Sequence, residues 1–229
     1  PAFLQSLAIL DGFDLDAMAG DTDAFVHHVA ETMKLTLADR DAALGDPDHV
    51  DVPLDALLSE SYAAERRGQI SDSASYDFRV GSAVPEGAAR QAALMRLANA
   101  PAGSAAIGLG EPTFADLPEV EGDTVHFDVI DRHGNIVSAT PSGGWLQSSP
   151  AVPGLGFNVT TRGQMFWLDP ALPAALGPGR RPRITLTPTL VKRGEDVFGI
   201  GTPGGDQQEQ WILSTLLRVL LERKSLQAA

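Results

Sequence analysis

The sequence has no cysteine, which excludes disulfides, thiolate metal sites and a cysteine nucleophile together. Oxidising and reducing compartments, and so bacterial cytoplasm and periplasm, both remain open. No apolar run reaches the roughly 18 residues that a membrane-spanning helix needs, and residues 1–10 lack the basic start and long apolar middle of a secretion signal. Basic residues are outnumbered, 17 Lys and Arg against 30 Asp and Glu. The resulting charge of −13 argues against nucleic acid or an anionic membrane as a partner. What is present is 229 residues at 43% hydrophobic content, enough to bury the core of one large domain or two small ones.

Charge is unevenly spread. Up to Asp123 there are 22 acidic and 7 basic residues, a net of −15; from Thr124 onward there are 8 and 10, a net of +2. The chain opens on a proline, and its last helical pattern runs out near Lys224 without a capping glycine. It is expected to be a piece of a longer protein.

Asp14-Leu15-Asp16 and Asp21-Thr22-Asp23 have the chemistry of helix starts. Val26, Val29, Met33 and Leu37 follow at spacings of three and four, which predicts a helix from about Asp23 to Leu44 with those four on its buried face, ended by Gly45-Asp46-Pro47. A second helix is expected near Pro53, carrying Leu54, Leu57, Leu58 and Tyr62. From Ser71 to Asp123 the sequence turns to Ser, Ala, Gly and Pro, with only Ala88 to Ala98 periodic. A linker or long surface loop around one short helix is expected there.

Beyond Asp123 the period changes to two. Val125, Phe127 and Val129 alternate with His126 and Asp128, and His133-Gly134-Asn135 supplies turn chemistry, the pattern of a hairpin. Apolar runs at 156–159, 164–168, 184–192 and 197–201 predict further strands, and Asp206 to Arg223 a last helix with Leu213, Leu216, Leu217 and Leu220 buried.

Several groups compete as sites. Gly199-Ile200-Gly201-Thr202-Pro203-Gly204 matches G-x-G-x-x-G between a strand and a helix. A dinucleotide fold would need a further strand ending in an acidic residue, and too little chain follows. A phosphate loop would need Gly-Lys-Ser/Thr, which is absent. Either the glycines only turn the chain into its helix, or backbone N–H groups from Thr202 to Gly205 form a nest that can hold an oxyanion. Asp46, Asp48 and Asp51 lack the glycine and terminal glutamate of a calcium loop and are better read as turn and cap residues. Arg180, Arg181 and Arg183 could grip a phosphate, but a solvated turn or an internal ion pair explains them with less. His27 and His28 are expected on a helix surface, and no histidine pair has ligand spacing, so no metal site is expected. His126 shares the Thr124 face of its strand and either orients a site or fills the sheet.

A threonine at a strand start is ordinarily there for β-propensity. Three features raise another reading for Thr124: the charge break, the loop-like segment before it and the glycine nest after it. An N-terminal threonine can be a nucleophile with its own α-amine as base. That requires cleavage between Asp123 and Thr124.

Three stretches in order, "GDTVHFDVIDRHGNIVSAT", "PGRRPRITLTPTL" and "GTPGGDQQEQ", are similar to the γ-glutamyltranspeptidase family of N-terminal-nucleophile hydrolases. The segment from Gly12 to Ile70 resembles the end of that family's large subunit. The resemblance implies an α+β fold, a four-layer αββα sandwich, made as a precursor that cuts itself before the nucleophile. Residues 1–123 would then be the C-terminal part of the large subunit and 124–229 the N-terminal part of the small catalytic subunit. By position, Thr124 is the nucleophile, Ser142 stands where a threonine usually hydrogen-bonds it, and Gly204 and Gly205 supply the oxyanion hole. No cofactor is implied; subunit association after cleavage is, and a homodimer is compatible with it.

The departures fall in the substrate clamp. Gly144 replaces an asparagine. Gln164-Met165-Phe166-Trp167 replaces a Gln-Met-Asp-Asp run, so Trp167 stands where a carboxylate grips the substrate ammonium, and Ile184-Thr185 replace the serines that hold its carboxylate. An indole and an isoleucine cannot pair with those charges, and unpaired buried charge is costly. The expectation is an amide-hydrolysing acylase with weak or no action on glutathione, the substrate contacts falling to Gln164, Trp167 and Thr185. The stretch 141–150, "PSGGWLQSSP", fits the cephalosporin-acylase-like branch better than a typical transpeptidase. The competing readings are an inert fragment or pseudoenzyme of the same fold, in which Thr124 only starts a strand, and a dinucleotide-binding oxidoreductase.

Overall fold

The computed structural model describes residues 1–98, 124–143, 152–156, 160 and 162–229. The expected run at 157–159 lies outside them. The chain forms two units, the first made of Pro1–Ala100, Phe166–Arg183 and Leu213–Ala229, the second of Pro101–Met165 and Ile184–Ile212.

The first unit is helical: α1 (Ala2–Leu10), α2 (Leu15–Gly20), α3 (Thr22–Ala43), α4 (Leu54–Leu57), α5 (Glu60–Arg67) and α6 (Ala88–Ala98). Asp14 and Asp21 cap α2 and α3 as their positions predict, accepting from Ala17 N–H and from the N–H groups of Asp23 and Ala24. The buried face of α3 differs from the expected one. Val26 is 55% exposed, while Phe25, Val29, Thr32, Leu35, Thr36 and Asp39 are buried. Helices α1, α2 and α6 all pack on α3, so its buried arc is wider than a single stripe. The helix expected from Pro53 breaks into α4 and α5, because Ser59 caps α5 through the Tyr62 N–H.

The linker expected from Ser71 is not one in its described part. Val80, Val84 and Ala93 join Ala38, Ala42, Leu57, Tyr62 and Leu172 in an apolar core. Arg90 secures the segment by donating to the carbonyls of Val80, Gly81 and Val84. Within this core Asp39 is fully buried and accepts from Gln5 Nε2 (2.7 Å), Tyr62 Oη (2.8 Å) and Gly81 N–H (2.8 Å), with Arg66 Nε 3.3 Å away. Asp46 accepts from Arg181 Nε (2.9 Å), Nη2 (2.6 Å) and N–H (2.8 Å), so turn duty and an internal ion pair account for both residues, against calcium and phosphate. Among the described residues no acidic or histidine cluster has the makings of a metal site, and no helix is long and apolar enough to cross a membrane.

The second unit holds two antiparallel hairpins, β1 (Phe127–Ile130) with β2 (Ile136–Ala139) and β3 (Thr189–Arg193) with β4 (Asp196–Ile200). Gly134, at φ 84°, turns the first, and Asp131 accepts from the N–H groups of His133 and Asn135. Residues 164–168 form no strand; a 3-10 turn spans Arg162–Met165. Residues 184–188 are irregular ahead of β3. Helix α7 (Gln208–Leu220) follows a 3-10 turn over Gly205–Gln207 and buries Leu213, Leu216 and Leu217 as its spacing predicts, but it ends at Leu220, short of the expected Arg223, and leaves that leucine only half-buried. Helices and antiparallel hairpins in separate stretches make the chain α+β.

Candidate active site

Strand alternation and register build this site. In the β1–β2 ladder Phe127 pairs with Ala139 and Asp128 with Ser138. One step further out the Val125 N–H donates to the Pro141 carbonyl at 3.2 Å, so the same register sets Thr124 opposite Ser142. Their hydroxyl oxygens are 2.7 Å apart, and either can donate. A hydroxyl at that distance fixes the Thr124 rotamer and can steady its oxygen as the proton leaves.

Period two places His126 and Asp128 on the Thr124 face. His126 Nδ1 lies 2.8 Å from Thr140 Oγ1, and Nε2 lies 3.0 Å from Asp128 Oδ2. A carboxylate oxygen accepts, so in the neutral ring Nε2 carries the proton and Nδ1 accepts from the Thr140 hydroxyl. Thr140 is buried. Sequence reasoning raised His126 and missed its two partners, although the alternation that put His126 on this face also put Asp128 there. The opposite face is apolar and exposed: Val125, Phe127, Val129 and Val137 are each about half accessible.

The glycine motif divides into two jobs. A Cβ on Gly199 would run into the Asp128 carboxyl, and one on Gly201 into the His126 ring. These glycines let β4 lie directly on the polar face of the first hairpin. Gly204 and Gly205 have φ of 124° and 56°, backbone that favours glycine. The Gln207 N–H turns back to the Gly204 carbonyl at 3.0 Å, and α7 follows. This glycine turn sets successive backbone N–H groups just ahead of a helix N-terminus, a setting in which an anion can be held. A Cβ on Gly204 would meet the Trp211 ring, so the position has neither the dihedral nor the room for a side chain.

The remaining candidates are dispersed. Thr185 is buried, with Oγ1 accepting from Arg162 Nη1 at 3.4 Å, a buried guanidinium that the sequence did not single out. Gln164 sits in the 3-10 turn beside Arg162, its Oε1 buried without a hydrogen-bond partner. Trp167 belongs to the first unit, bridged to Ala175 and stacked by Arg96 at 3.9 Å and Arg183 at 5.6 Å from its ring centroid. Burial pushes the nearby Asp41 carboxyl up, but the charges of Arg40, Arg96 and Arg183 outweigh it and hold the group below its ordinary range. Ile184 is exposed. Asp123, Gly144 and most of the 141–150 stretch lie outside the described residues.

The profile described as Gamma-glutamyltranspeptidase matches residues 1–229. The acylase ACY 1 proenzyme of Pseudomonas sp. strain V22 is 31% identical over 98% of this chain and 35% of its own length. Among solved structures, the protein named LmbA2991T421A matches with a TM-score of 0.71 at 44% identity, covering 98% of this chain and 36% of that one. The cephalosporin acylase from Bacillus halodurans matches with a TM-score of 0.66 at 26% identity, covering 96% of this chain and 33% of that one. The chain therefore spans about a third of the length of the relatives it matches.

Proposed function

The chain belongs to the γ-glutamyltranspeptidase family, and from that premise we propose that it is the centre of a self-cleaving amidohydrolase with Thr124 as nucleophile. The observation that carries this is the Thr124–Ser142 hydroxyl pair at 2.7 Å, in the same unit as the positive-φ pair Gly204-Gly205. The family's four-layer αββα sandwich is the architecture proposed for the whole protein, and the acylase proenzyme among the relatives supports processing.

In the precursor the Thr124 hydroxyl attacks the Asp123 carbonyl carbon. The new C–O bond replaces the C–N bond, the nitrogen leaves protonated as the Thr124 α-amine, and water hydrolyses the ester to a carboxylate and a free hydroxyl. In the mature protein that amine takes the hydroxyl proton as Oγ1 attacks a substrate amide. The N–H groups of Gly204 and Gly205 stabilise the oxyanion, the proton passes to the departing amine, and water releases the acyl group as an acid. Ser142 holds Oγ1 in the attacking rotamer. The two pieces stay associated after cleavage, since the first unit is built from residues on both sides of Thr124.

Trp167 and Ile184 replace charged or polar clamp positions, and the proposed substrate is accordingly an amide whose acyl group lacks an α-amino acid head, glutaryl rather than γ-glutamyl. Gln164 and Thr185 are the polar contacts left to it. In the full-length protein, intact mass should show division between Asp123 and Thr124, and Thr124→Ala should leave one uncut species with at least about 10³-fold less hydrolysis. Glutaryl anilide should be cleaved faster than γ-glutamyl anilide. A strong γ-glutamyl preference would overturn the substrate assignment and favour ordinary transpeptidase action, whereas an uncut, inactive natural protein would favour the pseudoenzyme.

A further inference from the structure

We propose that His126 is a positioning residue that sets the gap between the nucleophile strand and the oxyanion nest. The inference rests on the roles just given to Thr124, Gly204 and Gly205. It starts from the way the ring is held. Both nitrogens are engaged, Nδ1 with Thr140 and Nε2 with Asp128, so the imidazole has one orientation and cannot turn to make room. Its side chain is only 12% exposed.

What lies against the ring is backbone. The place of a Gly201 Cβ is already taken by Nδ1, Cε1 and Cγ of His126, and that of a Gly199 Cβ by the Asp128 carboxyl. His126 therefore faces Gly201 and Asp128 faces Gly199, two matched contacts that run in opposite chain directions. The thickness of these two side chains fixes how closely β4 approaches the Thr124 face. Ordinary residues at 199 and 201 would set the spacing by Cβ contact instead. This assigns the first half of the G-x-G-x-x-G pattern a purpose that neither a nucleotide site nor a simple turn explains.

The contact sits between the two halves of the catalytic apparatus. His126 is two residues from Thr124 on the same face, and Gly201 is three residues ahead of Gly204. The connection between them, Thr202-Pro203, is short, and proline fixes its own φ. A shift of Gly201 is thus passed to the nest rather than absorbed. Misplacing an oxyanion donor by about 1 Å can cost 10²-fold in rate.

A residue that only fills the sheet predicts something different: its loss would lower stability and leave turnover per folded molecule intact. The two are separated by a size-swap cycle in the full-length protein, reading kcat, KM and folded fraction by circular dichroism. We expect His126→Ala to lower kcat about 30- to 100-fold with KM within about threefold. Gly201→Ala, which drives a methyl into the ring, should show the same pattern. The double variant should regain at least about tenfold over Gly201→Ala, because the methyl then occupies space the imidazole has left. Additive losses, or single variants within about threefold of the natural kcat per folded molecule, would overturn the proposal. Should His126→Ala not fold, Gly201→Ala decides alone. Undiminished hydrolysis by Thr124→Ala would instead sink the reading on which the inference rests.

Discussion

The two units bury their polar groups in different company, the first within a large apolar core and the second, among the described residues, beside very little of one. In the first, Ile9, Leu10, Leu35, Leu57 and Val84 lie inside, and the charge that goes with them, Asp39 beside Arg66, is paired. In the second, the buried side chains among the described residues are Met165 and Ile212 beside Thr140, Arg162, Thr185 and Gln208, while Val125, Phe127, Val129 and Val137 face out. The same strand alternation that builds an ordinary hairpin is here turned with its hydroxyls, imidazole and carboxylate toward the neighbouring strand. A hydrophobic face turned inward would lower the free energy more. What the inward polar face offers is fixed geometry, since Thr124, His126, Asp128, Thr140 and Ser142 on it are tied to one another by directed bonds. The first unit should therefore answer substitution with stability and the second with rate.

The largest effect that could break this division is expected at Asp39. Replacing one partner of a buried ion pair leaves the other charged group without compensation, a loss of about 3 kcal/mol. Asp39→Asn should move the denaturant midpoint by that amount and leave kcat per folded molecule unchanged. A matching fall in kcat would show that the first unit also governs the chemistry. Next in size is Ser142→Ala, which removes the hydroxyl 2.7 Å from Thr124 Oγ1. Turnover and self-cleavage should each slow about 10- to 100-fold while the unfolding midpoint moves by less than about 1 kcal/mol. Ser142→Thr, keeping the hydroxyl, should restore both. A stability loss without a rate loss would reverse the comparison.

Much of this was legible in the residues, for a local reason in each case. Asp14 and Asp21 signal helix starts because a carboxylate can accept from the first free N–H groups. Leu213, Leu216 and Leu217 mark the buried side of α7 because one neighbouring surface covers one stripe. Where several elements cover the same helix the stripe widens, and Val26 on α3 was misplaced for that reason. Val80 and Val84 were hidden in a segment with no period at all. They are core residues because Arg90 ties their carbonyls, an arrangement that no spacing rule encodes. The 3-10 turn at Arg162–Met165 likewise has no repeat to announce it. The Thr124–Ser142 pair came from the resemblance, and only register, which depends on how residues 131–135 close the hairpin, turned it into a distance.

The smallest effect expected lies in the ion pair that joins Asp46 to Arg181, residues on either side of Thr124 in the chain. Hydrogen bonds from the Arg181 side chain and backbone hold the Asp46 carboxyl below the ordinary aspartate range, more than offsetting the opposing influence of desolvation. A carboxyl depressed in the folded state contributes stability above its unfolded pKa of about 4, and that contribution is lost as pH falls through the lower folded value. Arg181→Gln should therefore lower the melting temperature at pH 7, by an amount kept small because the 63% exposed Arg181 side chain is screened by solvent, and the two profiles should converge as pH falls below about 4, which flattens the variant's acid limb. Equal acid limbs in variant and natural protein would mean that the pair contributes no net stability. A flattened limb with kcat unchanged at neutral pH would place even this surface contact on the stability side, as the first unit requires.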